Sequence, residues 1–370
     1  MSEEVLVTVG VAVYNGENFL RQALESVLNQ TYRHLEVLVF NDGSTDASLS
    51  IVRSFADERI VVIDSSRNYG PGYGRQVLKT LASGDYLTWL DADDVYLPGR
   101  IEKLLHHALR QGSDITCDVY RMMSHSGELL EATYRIPDKV AGDPHFTRLF
   151  ERNVMIPHPL IHRRCYQAID YDVTLRCSED YDYWLKCSYA GYSFSLLDEI
   201  GLLYRLTEQS LSSDHERNRF KTRQVLEKYR VEELVQLYRT RGYSESTANY
   251  MACLQHIFRY DYEAALAYAL RPWCQDNDVD QDFYIGTLYL RVGNPQQARY
   301  HLEKHLARNP RSPAGHNNLG VARVMMNEDG HPHFAEALAC FPGYCDAGLN
   351  LKDPSARRIT DTQLNAYAAR

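Results

Sequence analysis

Apolar positions set two rhythms along this chain. Residues 5–13, VLVTVGVAV, form a near-continuous β-branched run, the pattern of a strand covered on both faces. After it, Phe19, Leu20, Ala23, Leu24, Val27 and Leu28 recur at helical spacing, so one face of a helix packs on the sheet. LEVLVF (35–40) predicts a second strand. NDGSTDASLSIVRSFA predicts a turn and a helix, with Ser44, Thr45 and Asp46 as candidate caps. IVVI (60–63) predicts a third strand, GRQVLKTLAS (74–83) a helix and DYLTWL (85–90) a fourth strand. Strands alternating with helices of this length imply βαβ units, an α/β fold and a mostly parallel sheet with flanking helices. Ligands of such sheets sit at the carboxyl ends of the strands. Tyr14 and Asn15, Asn41 to Gly43, Arg67 and Asn68, and Asp91 to Asp94 all follow predicted strands, which gathers polar groups on one rim.

From about residue 245 the rhythm is all-helical. Ala252, Gly286 and Gly320 recur at intervals of about 34 residues, as do Ala264 with Ala298 and Tyr268 with Leu302. Within 279–312, Gly286, Tyr289, Gly293, Ala298, Leu302 and Pro310 sit where a tetratricopeptide repeat places its Gly, Tyr, Gly, Ala, Leu and Pro. The neighbouring copies, 245–278 and 313–344, fit less well. The predicted organisation is an α/β domain over 1–213, a helical linker over 214–244, a tetratricopeptide-like (TPR-like) all-α solenoid over 245–352 and a polar tail over 353–370.

Composition narrows the classes. The 370 residues are 44% hydrophobic and 24% charged, with a formal net charge of −9. A nucleic-acid binder needs a basic footprint that this total does not supply. No apolar run reaches the roughly 18 residues of a membrane span, and MSEEVLVTVG lacks the basic start of a signal peptide. The eight cysteines form no C-x-x-C, which favours free thiols over a metal or disulfide framework. These features lead to the expectation of a cytoplasmic protein without a membrane span, peripheral attachment at an inner membrane remaining open.

LDADD (90–94) crowds three carboxylates after a strand. Hard cations such as Mg²⁺ and Mn²⁺ take oxygen ligands, so the cluster is either a cation site or a wet turn that caps the next helix. NDGSTD (41–46) reads as a turn, or as Asp42 accepting from an imide N–H such as that of uracil. SRNYGPGYGRQ (66–76) departs from the dinucleotide fingerprint, since Gly74 comes one residue early and Arg75 takes its place. Asn68 and Arg75 remain donors for a base or a diphosphate. SEDYDYWLK (178–186) sets Glu179, Asp180 and Asp182 at a helix start, either as dipole-complementing acids or as a general base. His158 and His162 straddle a proline and read as strand or loop residues rather than a metal pair.

TVGVAVYNGENFLRQALESVLNQTY, LEVLVFNDGSTDAS, SRNYG…GRQ, GDYLTWLDADD and SEDYDYWLK occur in the order and spacing of family 2 glycosyltransferases of the GT-A fold, which residues 5–213 resemble. The resemblance implies inverting transfer from a nucleotide-diphosphate sugar, with Mn²⁺ or Mg²⁺. It implies that Ala12, Val13 and Tyr14 hold the base and Asp42 its imide, while Glu17, Asn68 and Arg75 line the nucleoside and diphosphate site. Asp91 and Ala92 would hold the ribose end and Asp93 the metal. Asp180 would be the base, with Glu179 positioning sugar or acceptor. Two departures stand out. Ala12 replaces the usual Pro before the Tyr-Asn pair, and Thr207 stands where many members carry a His, leaving Glu208 or water as a substitute. The helical repeats are similar to those of enzymes that glycosylate peptides or proteins. The acceptor is then a protein, a peptide or a glycan, and self-association is the competing use of the repeats. Two other classes remain: a nucleotidyltransferase on a related sheet, and a non-catalytic TPR interaction module with a vestigial nucleotide-sugar domain.

Overall fold

A computed structural model describes residues 5–151, 153–207, 222–273 and 280–361. The chain divides into two compact units, Met1–Val225 and Leu226–Arg370.

The first unit is built on a nine-stranded sheet. Its strands are β1 (Val7–Val13), β2 (Leu35–Asn41), β3 (Ile60–Asp64), β4 (Tyr86–Trp89), β5 (Val95–Tyr96), β6 (Ile115–Met123), β7 (Leu129–Tyr134), β8 (Leu160–His162) and β9 (Phe194–Arg205). They lie in the order β3-β2-β1-β4-β8-β6-β9-β5, with β7 beside β6. The β3-β2-β1-β4 half is parallel throughout, and β6 runs parallel to β9. β8 is antiparallel to both neighbours, and β5 and β7 are antiparallel additions. The helices are α1 (Leu20–Leu28), α2 (Ser48–Arg53), α3 (Pro71–Leu81), α4 (Arg100–Gln111), the short α5 (Asp138–Ala141) and α6 (Arg163–Tyr166), and α7 (Glu179–Ala190).

Val7, Val9, Val11 and Val13 of β1 join Leu20, Ala23, Leu24 and Val27 of α1 and Ile101, Leu104 and Leu105 of α4 in one core. Thr8 and Gly10, on the opposite face of β1, are also buried, so the run is covered on both faces, as its sequence pattern requires. The helix expected over 74–83 starts at Pro71 instead. Proline at a first helical turn lacks only an N–H that would have no partner there. Gly70, at φ 95, makes the turn into it. The helix after NDGSTD begins at Ser48. Asp46 Oδ1 accepts the Ser48 N–H at 2.9 Å, whereas Ser44 and Thr45 bond to Asn15.

The second unit is helical: α8 (Val231–Thr240), α9 (Glu245–Phe258), α10 (Tyr262–Ala269), α11 (Gln281–Arg291), α12 (Pro295–Arg308), α13 (Pro313–Met325), α14 (His331–Cys340) and α15 (Cys345–Lys352). Each helix from α8 packs on the next, and α13 also packs on both α11 and α15. Ser244, Asp261, Asp280, Asn294 and Ser312 each cap a helix by accepting a first-turn N–H. The small residues of the 34-residue rhythm have a packing cause. A Cβ on Gly286 would stand 2.7 Å from Leu302, and one on Gly320 would stand 2.5 Å from Phe334. Each glycine seats a bulky side chain of the following helix.

Candidate active site at the strand ends

The loops after β1, β2 and β3 are tied together by their own polar groups. Asn15, at φ 52, donates its N–H to Ser44 Oγ (3.0 Å) and accepts the Thr45 N–H at Oδ1 (2.9 Å). Glu17 Oε2 accepts the Ala47 N–H at 2.8 Å, so this residue caps the start of α2. The Val13 carbonyl accepts the Asp42 N–H at 2.8 Å. The Asp42 carboxylate is buried and accepts the N–H groups of Tyr69 (2.7 Å) and Gly70 (2.8 Å). Asp42 thus clamps the loop that carries Asn68. Asn68 Oδ1 in turn accepts from Arg176 Nη1 at 3.2 Å. Tyr69 stacks on Tyr73 with 4.4 Å between centroids, and the Arg67 guanidinium lies over Tyr69. Tyr14 is 52% exposed on this rim.

Arg75 joins two of the sequence motifs. Its Nη1 donates to Glu179 Oε1 at 2.7 Å and its Nη2 to Asp91 Oδ1 at 3.0 Å. Burial works against its charge, but Asp91 and Glu179 outweigh it and hold the pKa above its ordinary value. Burial pushes Asp91 up, yet His158 and Arg75 more than offset this and leave it below the carboxylate norm. Glu179 is 5% exposed, and burial raises its carboxyl to about 7 despite Arg75, with Asp180 adding to the rise. Asp180 opens α7 beside it, and its Oδ1 accepts the Tyr181 N–H at 2.7 Å. Behind them Tyr171 stacks on Tyr183 at 4.3 Å and meets Trp89 edge-on at 5.8 Å. The Trp89 ring crosses β1 over Gly10, where a Cβ would strike it.

The three aspartates of LDADD take three environments. Asp91 is 40% exposed and faces Arg75. Asp93 is half-buried, and burial with its neighbours Asp94 and Asp91 raises its carboxyl to about 7. Asp94 is buried; its Oδ2 lies 2.9 Å from His158 Nε2, and its Oδ1 accepts the Arg205 N–H at 2.9 Å. Asp94 therefore holds the turn, while α4 starts on Gly99 at φ 80. Asp91, Asp94 and His158 bring ligand atoms within 4.8 Å of one another.

Sequence reasoning missed His158 and Arg205. His158 lies in the loop before β8 at φ 64, and its carbonyl accepts Arg100 Nη2 at 2.7 Å and Thr88 Oγ1 at 2.9 Å. Arg100 is locked by a buried two-pronged pair with Asp118, at 2.7 and 3.0 Å. His162, on β8, instead accepts the Arg164 N–H, so the two histidines do not act together. Arg205 ends β9. Its Nε donates to the Asp93 carbonyl (2.8 Å), its Nη2 to Gln22 (2.7 Å), and its guanidinium lies over Phe19. Tyr204 and Arg205 precede Thr207 in the sequence, Arg205 by two residues. Thr207 is described and half-buried, whereas Glu208 lies outside the described residues. The described cysteines are all free thiols.

A mostly parallel α/β sheet whose strand ends gather carboxylates around one half-buried arginine has the layout of a domain that binds charged ligands there. Residues 8–169, somewhat under half of the chain, match the family described as glycosyl transferase family 2. An uncharacterized glycosyltransferase, MJ1057, of Methanocaldococcus jannaschii is 28% identical over 210 residues, 55% of this chain and 72% of that protein. The succinoglycan biosynthesis protein ExoO of Rhizobium meliloti is 30% identical over 218 residues, 56% of this chain and 62% of its own length. In fold, the chain is similar to S. aureus TarS 1-349, solved in complex with UDP-GlcNAc. That likeness has a TM-score of 0.53 at 16% identity and covers 92% of this chain and 93% of TarS 1-349. No described helix is long and apolar enough to cross a membrane.

Proposed function

We propose that the chain is an inverting, metal-dependent glycosyltransferase that takes a sugar from a nucleotide diphosphate, with a uridine nucleotide as the expected donor. One observation carries the reading: Arg75 binds the strand-end acid Asp91 and the helix-start acid Glu179 into a single site. The family match, the relatives' names and the UDP-GlcNAc complex of TarS support it.

The residues fit a hard cation. The donor set is carboxylate oxygen, and Asp93 holds an unfavourable negative charge that a divalent ion would relieve. Asp93 would be the ligand, and a bound Mn²⁺ or Mg²⁺ would supply Lewis-acid stabilisation of charge on the departing diphosphate. Arg75 offers a forked cation to diphosphate oxygens, exchanging them for the carboxylates it now holds. The rim of Ala12, Val13 and Tyr14 with Ala92 and Asn68 receives the nucleoside, and Asp91 accepts from the ribose hydroxyls. Asp42 acts on the base through the loop it clamps or directly through its remaining lone pairs. Asp180 takes the acceptor proton, and Glu179 orients the sugar or acceptor. The acceptor is a protein, peptide or glycan.

A panel of nucleotide sugars with Mn²⁺, read by release of nucleoside diphosphate, tests this. Asp180→Asn and Asp93→Ala are expected to cut turnover by about a hundredfold or more while circular dichroism is unchanged. Normal turnover in both variants would sink the mechanism. Failure to bind any nucleotide sugar would favour a non-catalytic interaction module.

A further inference from the structure

His316, Glu336 and Cys340 meet on the second unit. A ring nitrogen, a carboxylate oxygen and the thiol sulfur lie there within 4.8 Å of one another. His316 belongs to α13, and Glu336 and Cys340 to α14, which packs against it. Glu336 and Cys340 stand four residues apart, so one face of α14 carries both. No local spacing announces the trio, because His316 reaches it from another helix.

The two ring nitrogens of His316 are in different states. Nε2 lies 2.9 Å from the Pro310 carbonyl, which can only accept, so in the neutral ring Nε2 carries the proton. Nδ1 then bears the lone pair, and it is buried with no hydrogen-bond partner among the described residues. A buried acceptor left unmet is unfavourable. His333 stacks on His316 with 5.8 Å between ring centroids and 23° between planes, which restrains the imidazole. A ring that donates one N–H to a carbonyl and keeps its other nitrogen unprotonated has the arrangement of a metal-bound histidine. Cys340 Sγ is 4.0 Å from Glu336 Oε1, a loose contact that commits neither group to the other. Glu336 is exposed and Cys340 half-buried, so a cation from solvent reaches both.

The donor set selects the metal. Imidazole nitrogen, thiolate sulfur and one carboxylate oxygen suit Zn²⁺, whereas Mg²⁺ and Mn²⁺ favour all-oxygen sets. Zinc bonds of about 2.0 to 2.3 Å in a tetrahedron leave ligand atoms roughly 3.3 to 3.6 Å apart. The trio therefore closes on an ion through small side-chain movements.

We propose that His316, Glu336 and Cys340 bind a Zn²⁺ ion that clips α13 to α14, with water as the fourth ligand. On binding, the Cys340 thiol proton passes to solvent and the thiolate takes the metal. His316 gives its Nδ1 lone pair and keeps its proton on Nε2. The proposal goes beyond the sugar-transfer reading and stands whether or not the first unit is catalytic.

The test uses the full chain, stripped with a chelator and kept reduced by a phosphine, with Co²⁺ as the coloured stand-in for Zn²⁺. Titration with Co²⁺ is expected to raise a thiolate-to-cobalt charge-transfer band in the near ultraviolet, which Zn²⁺ then bleaches. The strand-end carboxylates of the first unit supply no sulfur and cannot produce that band. Cys340→Ser should abolish it, and Cys345→Ser, at an exposed cysteine outside the trio, should leave it intact. His316→Ala and Glu336→Gln should each weaken the Co²⁺ affinity read from the band about tenfold or more. The proposal is overturned if the reduced chain gives no sulfur band, if the band survives Cys340→Ser or vanishes in Cys345→Ser, or if a folded His316→Ala chain keeps the full affinity. Should His316→Ala not fold, Glu336→Gln, at an exposed position, decides in its place.

Discussion

Asp93 and Asp94 differ by one position and carry opposite duties. Asp94 is spent on structure, between His158 and the Arg205 amide, whereas Asp93 keeps a carboxyl raised to about 7 from its ordinary 3.8. A carboxyl raised in the folded state favours folding at low pH and works against it as pH climbs from about 4 to 7. Without metal, Asp93→Asn should therefore stabilise the first unit, on the order of 2 kcal/mol at pH 8 and by almost nothing near pH 4. Urea unfolding at several pH values reads this, and a pH-independent effect would contradict it. His158→Ala should instead destabilise by roughly 2–3 kcal/mol, because it strands the buried Asp94 carboxylate. The acidic cluster was legible in sequence because three aspartates in four positions need no context. His158 was not, since its part depends on a positive φ and on a carbonyl held by Arg100 from another element.

At the scale of elements, the parallel strands were legible because a run buried on both faces has one reading, and the helix pairs because their small residues recur. The start of α3 was misplaced by three residues because Pro71 and Gly70 look like loop punctuation until the turn is seen. β8 and the helices α5 and α6 are three or four residues long, too short for any pattern to read. The glycine rhythm makes a firm prediction. Gly320→Ala forces Phe334 out of its seat and should cost about 1–3 kcal/mol in the second unit, measured by denaturant unfolding. An unchanged midpoint would mean that Phe334 has another resting place.

At the scale of the whole molecule, the chain divides into two units that meet in sequence at Val225 and Leu226. Part of the expected linker, Val231–Thr240, is a helix of the second unit. If the nucleotide site lies wholly in the first unit, UDP-sugar with Mn²⁺ at a hundred times its Kd should stabilise that unit by about 2.7 kcal/mol. Amide exchange in α11 to α15 should not respond, and a matching response there would place part of the site elsewhere. The buried path from Asp118 through Arg100 and His158 to Asp94 has a consequence of another kind. The path runs through two side-chain pairs, Asp118 with Arg100 and His158 with Asp94, joined only at the His158 main-chain carbonyl that Arg100 holds. Related sequences should therefore keep or lose each pair together, and a lineage that dropped Asp118 alone should carry a repaired neighbour beside Arg100.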